Sequence, residues 1–268
     1  MPGDDAPYKL RVVTETSARS AANEFEALTF LHEHGVAWAP EIFDYQATRP
    51  AYLVTRFLEG DSLDTGSWWL PRSAEIRTRL SERLEEMHRL VGDFHGHIGG
   101  TKYPTWRTFL DVRFWKHVHR CEAETILTAA DIRLLERLYD DAAPACEGIA
   151  PRLLHGDVKP ANIVVAPDGE CHLVDYEITR FGDPDFEWVK MRWLSLRWPE
   201  YRREIADPLL DAKLPHGDVS QWPAKYVLYA VHHVCAILQF ERDVNIATPT
   251  YRYDDLRLLL AIIRSRYG

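Results

Sequence analysis

PRLLHGDVKPANIVVAPDGECHLVDYEITRFGDPDFE, residues 151–187, holds most of the chemistry-bearing pattern of the chain. Two short apolar runs, residues 153–154 and 163–165, flank a polar group made of His155, Gly156, Asp157, Lys159 and Asn162. Pro167, Asp168 and Gly169 then form a turn, because Pro fixes φ and Gly tolerates φ > 0. A third apolar run, residues 172–174, delivers Asp175. The pattern predicts loop, short strand, hairpin turn, short strand, loop. The two strands bring Asn162 and Asp175 together, and Asp157 sits five residues before Asn162 on the preceding loop.

That arrangement suits phosphoryl transfer. The transferred group needs metal ions to neutralise its oxygens and a carboxylate to orient the attacking hydroxyl. Mg²⁺ takes oxygen ligands, usually one or two protein carboxylates plus phosphates and waters. An Asp and an Asn carbonyl on neighbouring strands supply the protein's share, and a second Asp left unligated serves as base.

His155-Gly156-Asp157, Asn162, Asp175 and then Gly182-Asp183-Pro184 resemble the aminoglycoside phosphotransferase and choline kinase family, whose fold is protein-kinase-like. The resemblance implies that Asp157 is the catalytic base and that Asn162 and Asp175 hold Mg²⁺. It implies that His155 braces the catalytic loop and that Lys159 touches the γ-phosphate. Asp183 matches the family's loop-steadying stretch, and Glu187 stands where many members carry Asp. The triplet alone is weak: His216-Gly217-Asp218 repeats it, with Pro223 where the Asn belongs.

Composition bounds the partners. The chain has 268 residues, 46% hydrophobic and 27% charged, as in ordinary globular proteins. A net charge of −9 makes nucleic acid a poor partner. Cys121, Cys146, Cys171 and Cys235 show no CxxC spacing, which favours free thiols in a reducing compartment over zinc or disulfides. No 18-residue apolar run and no signal-peptide pattern occur, so the expectation is a cytoplasmic protein without a membrane partner.

Taken in order, residues 8–14 alternate as a strand that places Lys9 and Arg11 on one face. Residues 18–34 predict a helix carrying Phe25, Leu28 and Leu31, ended by Gly35. In the resembled family a strand Lys contacts nucleotide phosphates and pairs with a helix Glu. Glu24 fits the helix role; Arg11 stands in the lysine's place, with Lys9 as the fallback. Arg prefers forked contacts, so the exchange is not neutral. Only seven residues precede Tyr8, too few for the phosphate-covering hairpin of the family, so either the recorded start is late or the small lobe is reduced. Residues 42–45 and 52–57 read as strands. The second resembles the family's hinge, where backbone groups near Arg56, Phe57 and Leu58 would bind the adenine.

Beyond residue 60 helical periodicity dominates. Residues 73–91 carry Ile76, Leu80, Leu84, Met87 and Val91 at helical spacing, with Ser73 as cap. His88 resembles a family histidine but reads first as a packed core residue. Residues 93–106 form a loop; His95 and His97 lack the companions of a zinc set. Further helices are predicted at 106–119, 130–143, 186–196, 225–241 and 253–267, with at least one of His232 and His233 facing inward.

The expectation is an α+β, bilobal protein-kinase-like fold: a small nucleotide-binding lobe at 1–58, and a mostly helical catalytic and acceptor lobe at 59–268. The expected activity moves the γ-phosphate of ATP, or of GTP, with Mg²⁺ onto the hydroxyl of a small molecule. Aminoglycoside-like antibiotics, amino alcohols and sugars are the acceptor classes, and Asp183, Asp185, Glu187 and Asp218 would be placed to recruit a polycation. The alternative is a non-catalytic pseudokinase, motivated by the missing hairpin and strand lysine. Monomer and homodimer remain equivalent on sequence.

Overall fold

The computed structural model describes residues 7–12, 18–48, 51–244 and 250–268. The tail at 1–6 and the last two residues of the predicted first strand lie outside the described residues.

The first part is a three-stranded antiparallel sheet packed on one helix. Strand β1 (Tyr8–Val12) pairs with β3 (Tyr52–Arg56), which pairs with β2 (Ile42–Gln46). Helix α1 (Ala18–Glu33) buries Ala27, Leu28 and Leu31 and ends at Gly35, whose φ of +78° is the left-handed value a helix terminus uses. Strand alternation divides β1. Tyr8, Leu10 and Val12 are exposed, while Arg11 lies opposite buried Leu53 on the other face.

The larger part is helical. A short strand β4 (Asp61–Ser62) leads to α2 (Ser73–Arg89), where Ile76, Leu80, Leu84 and Met87 are fully buried at helical spacing. Ser73 does not cap this helix. A 3₁₀ turn, Leu70–Arg72, runs directly into it, and Arg72 takes the cap position without a side-chain bond. Val91 lies past the helix end, half exposed, because the chain has already turned toward an isolated bridge with Arg152. Strand β5 (Gly96–His97) follows, then α3 (Trp106–Ala123), capped by Thr105, and α4 (Ala129–Ala142), opened by a capping box between Thr128 and Asp131.

Four short strands carry the stretch singled out by sequence: β6 (Arg152–Leu154), β7 (Ile163–Val165), β8 (Cys171–Leu173) and β9 (Arg180–Gly182). They build two small sheets, ordered β4-β7-β8 and β5-β9-β6. Helices α5 (Pro184–Ser195), α6 (Pro199–Tyr201), α7 (Asp207–Leu210), α8 (Ala224–Asp243) and α9 (Thr250–Tyr267) complete the chain. Helix α8 packs on α3, α4, α5 and α9. Trp106, Phe109, Phe186 and Tyr229 interlock there, with Trp106 donating to the Tyr229 hydroxyl at 2.6 Å. Both His232 and His233 face inward. All four cysteines are buried and unpaired, and among the described residues no helix is long and apolar enough to cross a membrane.

Candidate active site

Strand β6 ends at buried Leu154 and hands the chain to His155, which is fully buried. His155 Nε2 donates to the Val174 carbonyl at 3.0 Å, and its Nδ1 accepts from the Asp157 amide at 3.3 Å. Gly156 has φ +84°, and a Cβ there would sit 2.8 Å from the Ile178 carbonyl oxygen, so only glycine fits. Both backbone groups of Gly156 are held from α5. Its amide donates to Glu187 Oε1, and its carbonyl accepts from Lys190 Nζ, each at 2.5 Å. Glu187 and Lys190 stand three residues apart and so share one helix face. The other Glu187 oxygen meets His88 Nε2 at 2.7 Å. Burial raises the Glu187 carboxyl, but His88, His155 and the Gly156 amide outweigh it and hold the group below its ordinary range.

Asp157 receives three donors. Lys159 Nζ lies 2.5 Å and Asn162 Nδ2 3.1 Å from Oδ2, and Lys190 Nζ lies 2.9 Å from Oδ1. Burial pushes its carboxyl up, yet the Lys190 and Lys159 ammoniums win and hold it far below the usual carboxylate range. The Asn162 amide nitrogen is spent on Asp157, donating to its carbonyl at 2.9 Å as well. The Asn162 Oδ1 is therefore left without a partner among the described residues. Across the β7–β8 register, Ile163 faces Leu173 and the Val174 amide donates to the Asn162 carbonyl at 3.0 Å, which brings Asn162 and Asp175 together.

Asp175 has φ +68°, an uncommon value for a residue other than glycine and a conformation that functional sites often hold. Its carboxyl is raised first by burial, then by the charges of Glu177 and Asp157. A free amide oxygen beside a carboxylate crowded by like charge is a donor set that fits a hard divalent cation. Among the described residues no cluster of three or more His, Cys, Asp or Glu side chains forms a protein-only metal cage. A cation here would take its remaining ligands from phosphate and water.

On β1, Arg11 and not Lys9 reaches the helix glutamate. Arg11 Nη1 lies 2.7 Å from Glu24 and 4.0 Å from Asp175, and Nη2 lies 2.7 Å from Glu177. Burial raises the Glu24 carboxyl on balance, although Arg11 and Lys9 oppose it. Lys9 is exposed and makes no ion pair among the described residues. Of the three hinge residues, Arg56 and Phe57 have amides already bonded to the carbonyls of Glu41 at 2.8 Å and Pro7 at 3.1 Å. Leu58 keeps a backbone N–H with no backbone partner among the described residues.

Three of the four carboxylates expected to recruit a polycation, Asp183, Asp185 and Glu187, are already engaged. Asp183 is buried; it caps α5 and accepts from Lys225 and Tyr229. Asp185 accepts from Lys225 and Tyr226, and Glu187 is committed to Gly156 and His88. Asp218 caps a 3₁₀ turn through Ser220. Sequence reading missed three residues of the site: Lys190, Glu177 and Asn23. Asn23 Nδ2 donates to the carbonyls of Glu177 at 2.9 Å and Thr179 at 3.0 Å, tying α1 to the segment after Asp175. The i, i+3 spacing of Glu187 and Lys190 was the signal available for Lys190.

The APH family, described as the phosphotransferase enzyme family, matches residues 3–221. No curated protein matches the sequence. Among solved structures, aminoglycoside phosphotransferase APH(4)-Ia superposes with TM-score 0.66 at 19% identity, over 99% of this chain and 88% of that one. Choline kinase LicA from Streptococcus pneumoniae gives 0.61 at 15% identity, over 98% and 87%. The gentamicin complex of APH(2")-IIa gives 0.56 at 15%, over 96% and 83%. With the matched span covering the first sheet, residues 155–162 and α5, the chain belongs to the APH phosphotransferase enzyme family and is a small-molecule phosphotransferase.

Proposed function

We propose that the chain transfers the γ-phosphate of ATP, with Mg²⁺, to a hydroxyl of a small molecule, residues 1–58 serving the nucleotide and 59–268 the acceptor. The observation that carries this reading is the grouping of the Asp157 carboxylate, the unpartnered Asn162 Oδ1 and the Asp175 carboxylate on one loop and one hairpin. Solved relatives point the same way. One APH(4)-Ia structure is a ternary complex with AMP-PNP and hygromycin B, and one LicA structure is a complex with AMP.

Asp157 is ionised throughout the physiological range and accepts a hydrogen bond from the attacking hydroxyl, then its proton. Lys159 and Lys190 fix the orientation of that carboxylate. Asn162 and Asp175 hold Mg²⁺, which neutralises charge on the phosphate oxygens when bound. Arg11, braced by Glu24 and Glu177, presents a guanidinium to the phosphates. The Leu58 amide is the hinge donor left for adenine.

The test is ADP formation with Mg·ATP across aminoglycosides, amino alcohols and sugars, with Asp157→Asn as control. Acceptor-dependent ADP release that disappears in the control supports the proposal. Release unaffected by Asp157→Asn, or no binding of Mg·ATP by calorimetry, ends it.

A further inference from the structure

A cavity of about 440 Å³ lies between α1, residues 97–103, α3 and residues 177–178, against the segment that follows Asp175. Its walls include Asn23, His97, Tyr103, Phe109, Arg113 and Glu177. Arg113 stands one turn beyond Phe109 on α3. It has no hydrogen bond and no ion pair among the described residues, and its Nε is sealed from solvent without an acceptor. Behind it, Arg180 on β9 is buried and lies opposite His97 in the strand register. Its Nε donates to the Ile178 carbonyl at 3.2 Å, and its guanidinium lies 5.9 Å and 5.8 Å from the ring centres of Phe109 and Phe186. No carboxylate pairs with it among the described residues.

Arg113 is the charge on this cavity's wall that has no partner among the described residues. Burial and the neighbouring Arg113 lower the Arg180 guanidinium to about 10. His97 is held neutral by burial and by the charges of Arg180, Arg113 and Lys190. Lys190 is the residue that binds Asp157, so the cavity and the base share one neighbourhood. Glu177, the carboxylate on the wall, is taken by Arg11 at 2.7 Å. A guanidinium on the cavity wall with no acceptor among the described residues, as Arg113 is, costs stability unless an anion completes it. A planar guanidinium matches a carboxylate or phosphate through paired hydrogen bonds.

We propose that the phosphoryl acceptor carries an oxyanion group, a carboxylate or a phosphate ester, which Arg113 binds in this cavity within the field of Arg180 while a hydroxyl of the same molecule faces Asp157. This rests on the phosphotransferase reading above and narrows it, away from the cationic acceptors that the acidic composition suggested.

The experiment is a matched acceptor panel read by ADP formation: glycerol, glycerate and glycerol phosphate; glucose, gluconate and glucose 6-phosphate; and the cations choline and hygromycin B. Anionic members are expected to show kcat/KM at least about 10-fold above their neutral partners. The carboxylate and phosphate arms tell the two sources apart. Arg113→Gln should reduce that advantage by about 10- to 100-fold, and Arg113→Lys by less. Preference for the cations, or an anion preference untouched by Arg113→Gln, overturns the inference. Should no member turn over, phenylglyoxal modification of the Mg·ADP complex decides. Protection of the Arg113 peptide by gluconate or by inorganic phosphate supports the inference, and modification unaffected by either overturns it. Loss of Mg·ATP binding, measured separately by calorimetry, marks failure of the phosphotransferase reading itself.

Discussion

Lys190→Met is the substitution that most directly tests how the catalytic loop is held. The methionine keeps the length of the stem and removes two contacts: the bond to Asp157 Oδ1 at 2.9 Å and the bond to the Gly156 carbonyl at 2.5 Å. Two losses follow. The Gly156 carbonyl loses its charged donor, and Asp157 keeps only Lys159 and Asn162. Leaving a buried acceptor unpaired costs about 1–3 kcal/mol. Because Asp157 retains one ammonium, the full cost of breaking a buried ion pair does not apply. A chain of 268 residues unfolds with an entropy near 0.6 kcal/mol/K, so the melting temperature should fall by about 2–5 °C. The second effect is chemical. With one of its two ammoniums gone, the Asp157 carboxyl rises, with Lys159 and Asn162 still holding it down. A base free to rotate away from the acceptor should also lower kcat by about 10- to 100-fold, with the ATP dissociation constant unchanged. The assay is kcat and kcat/KM from pH 4.5 to 9, with thermal unfolding beside it. A variant with wild-type kcat refutes the positioning role; a change confined to the KM for ATP refutes it equally.

Asp157→Asn should lower kcat by about 10²–10⁴ while Mg·ATP still binds, measured by coupled ADP release and calorimetry. Arg11→Lys reaches one carboxylate where the guanidinium reaches Glu24 and Glu177 together, so the KM for ATP should rise about 10-fold; an unchanged KM would show that Arg11 does not serve the phosphates. The third concerns pH. His97, His155, His232 and His233 are depressed by burial, and His117 is lowered to about 4, so in the fold each takes up its proton only below pH 6.5. The unfolded chain protonates them near 6.5, so stability falls as pH drops, by about 1.4 kcal/mol per histidine per pH unit. Glu24, Asp175 and Asp255, the last raised to about 6 by burial, work in the opposite sense and are outnumbered. The melting temperature should therefore drop between pH 7 and pH 5; a flat profile would mean that these rings are charged in the fold.

The parts of the site that sequence made legible are those set by local pattern. Asn162 and Asp175 meet because a turn at 167–169 joins two three-residue strands, and Gly169 at φ +96° completes that turn. Arg11 was separable from solvent-facing neighbours by strand alternation, but choosing it over Lys9 needed the position of Glu24 on α1. Asn23 was not legible, since it acts on backbone atoms far away in sequence, and Lys190 was marked only by its i, i+3 spacing from Glu187. Strand β9 was missed for a related reason: three residues pairing with β5 and β6 carry too little periodicity. The carboxylates at 183, 185 and 187 looked available because sequence counts charges without showing that Lys225, Tyr226, Tyr229 and His88 already meet them.

Asn23 is a small residue with a wide reach. Its amide nitrogen grips the carbonyls of residues 177 and 179, its amide oxygen takes the Gly99 N–H at 2.9 Å, and the next residue on α1 holds Arg11. A tilt of α1 that opened the phosphate end would break all of these anchors together. If the strand side of α1 serves the nucleotide and the cavity beside Asn23 takes the acceptor, as proposed, one helix is the common footing of both.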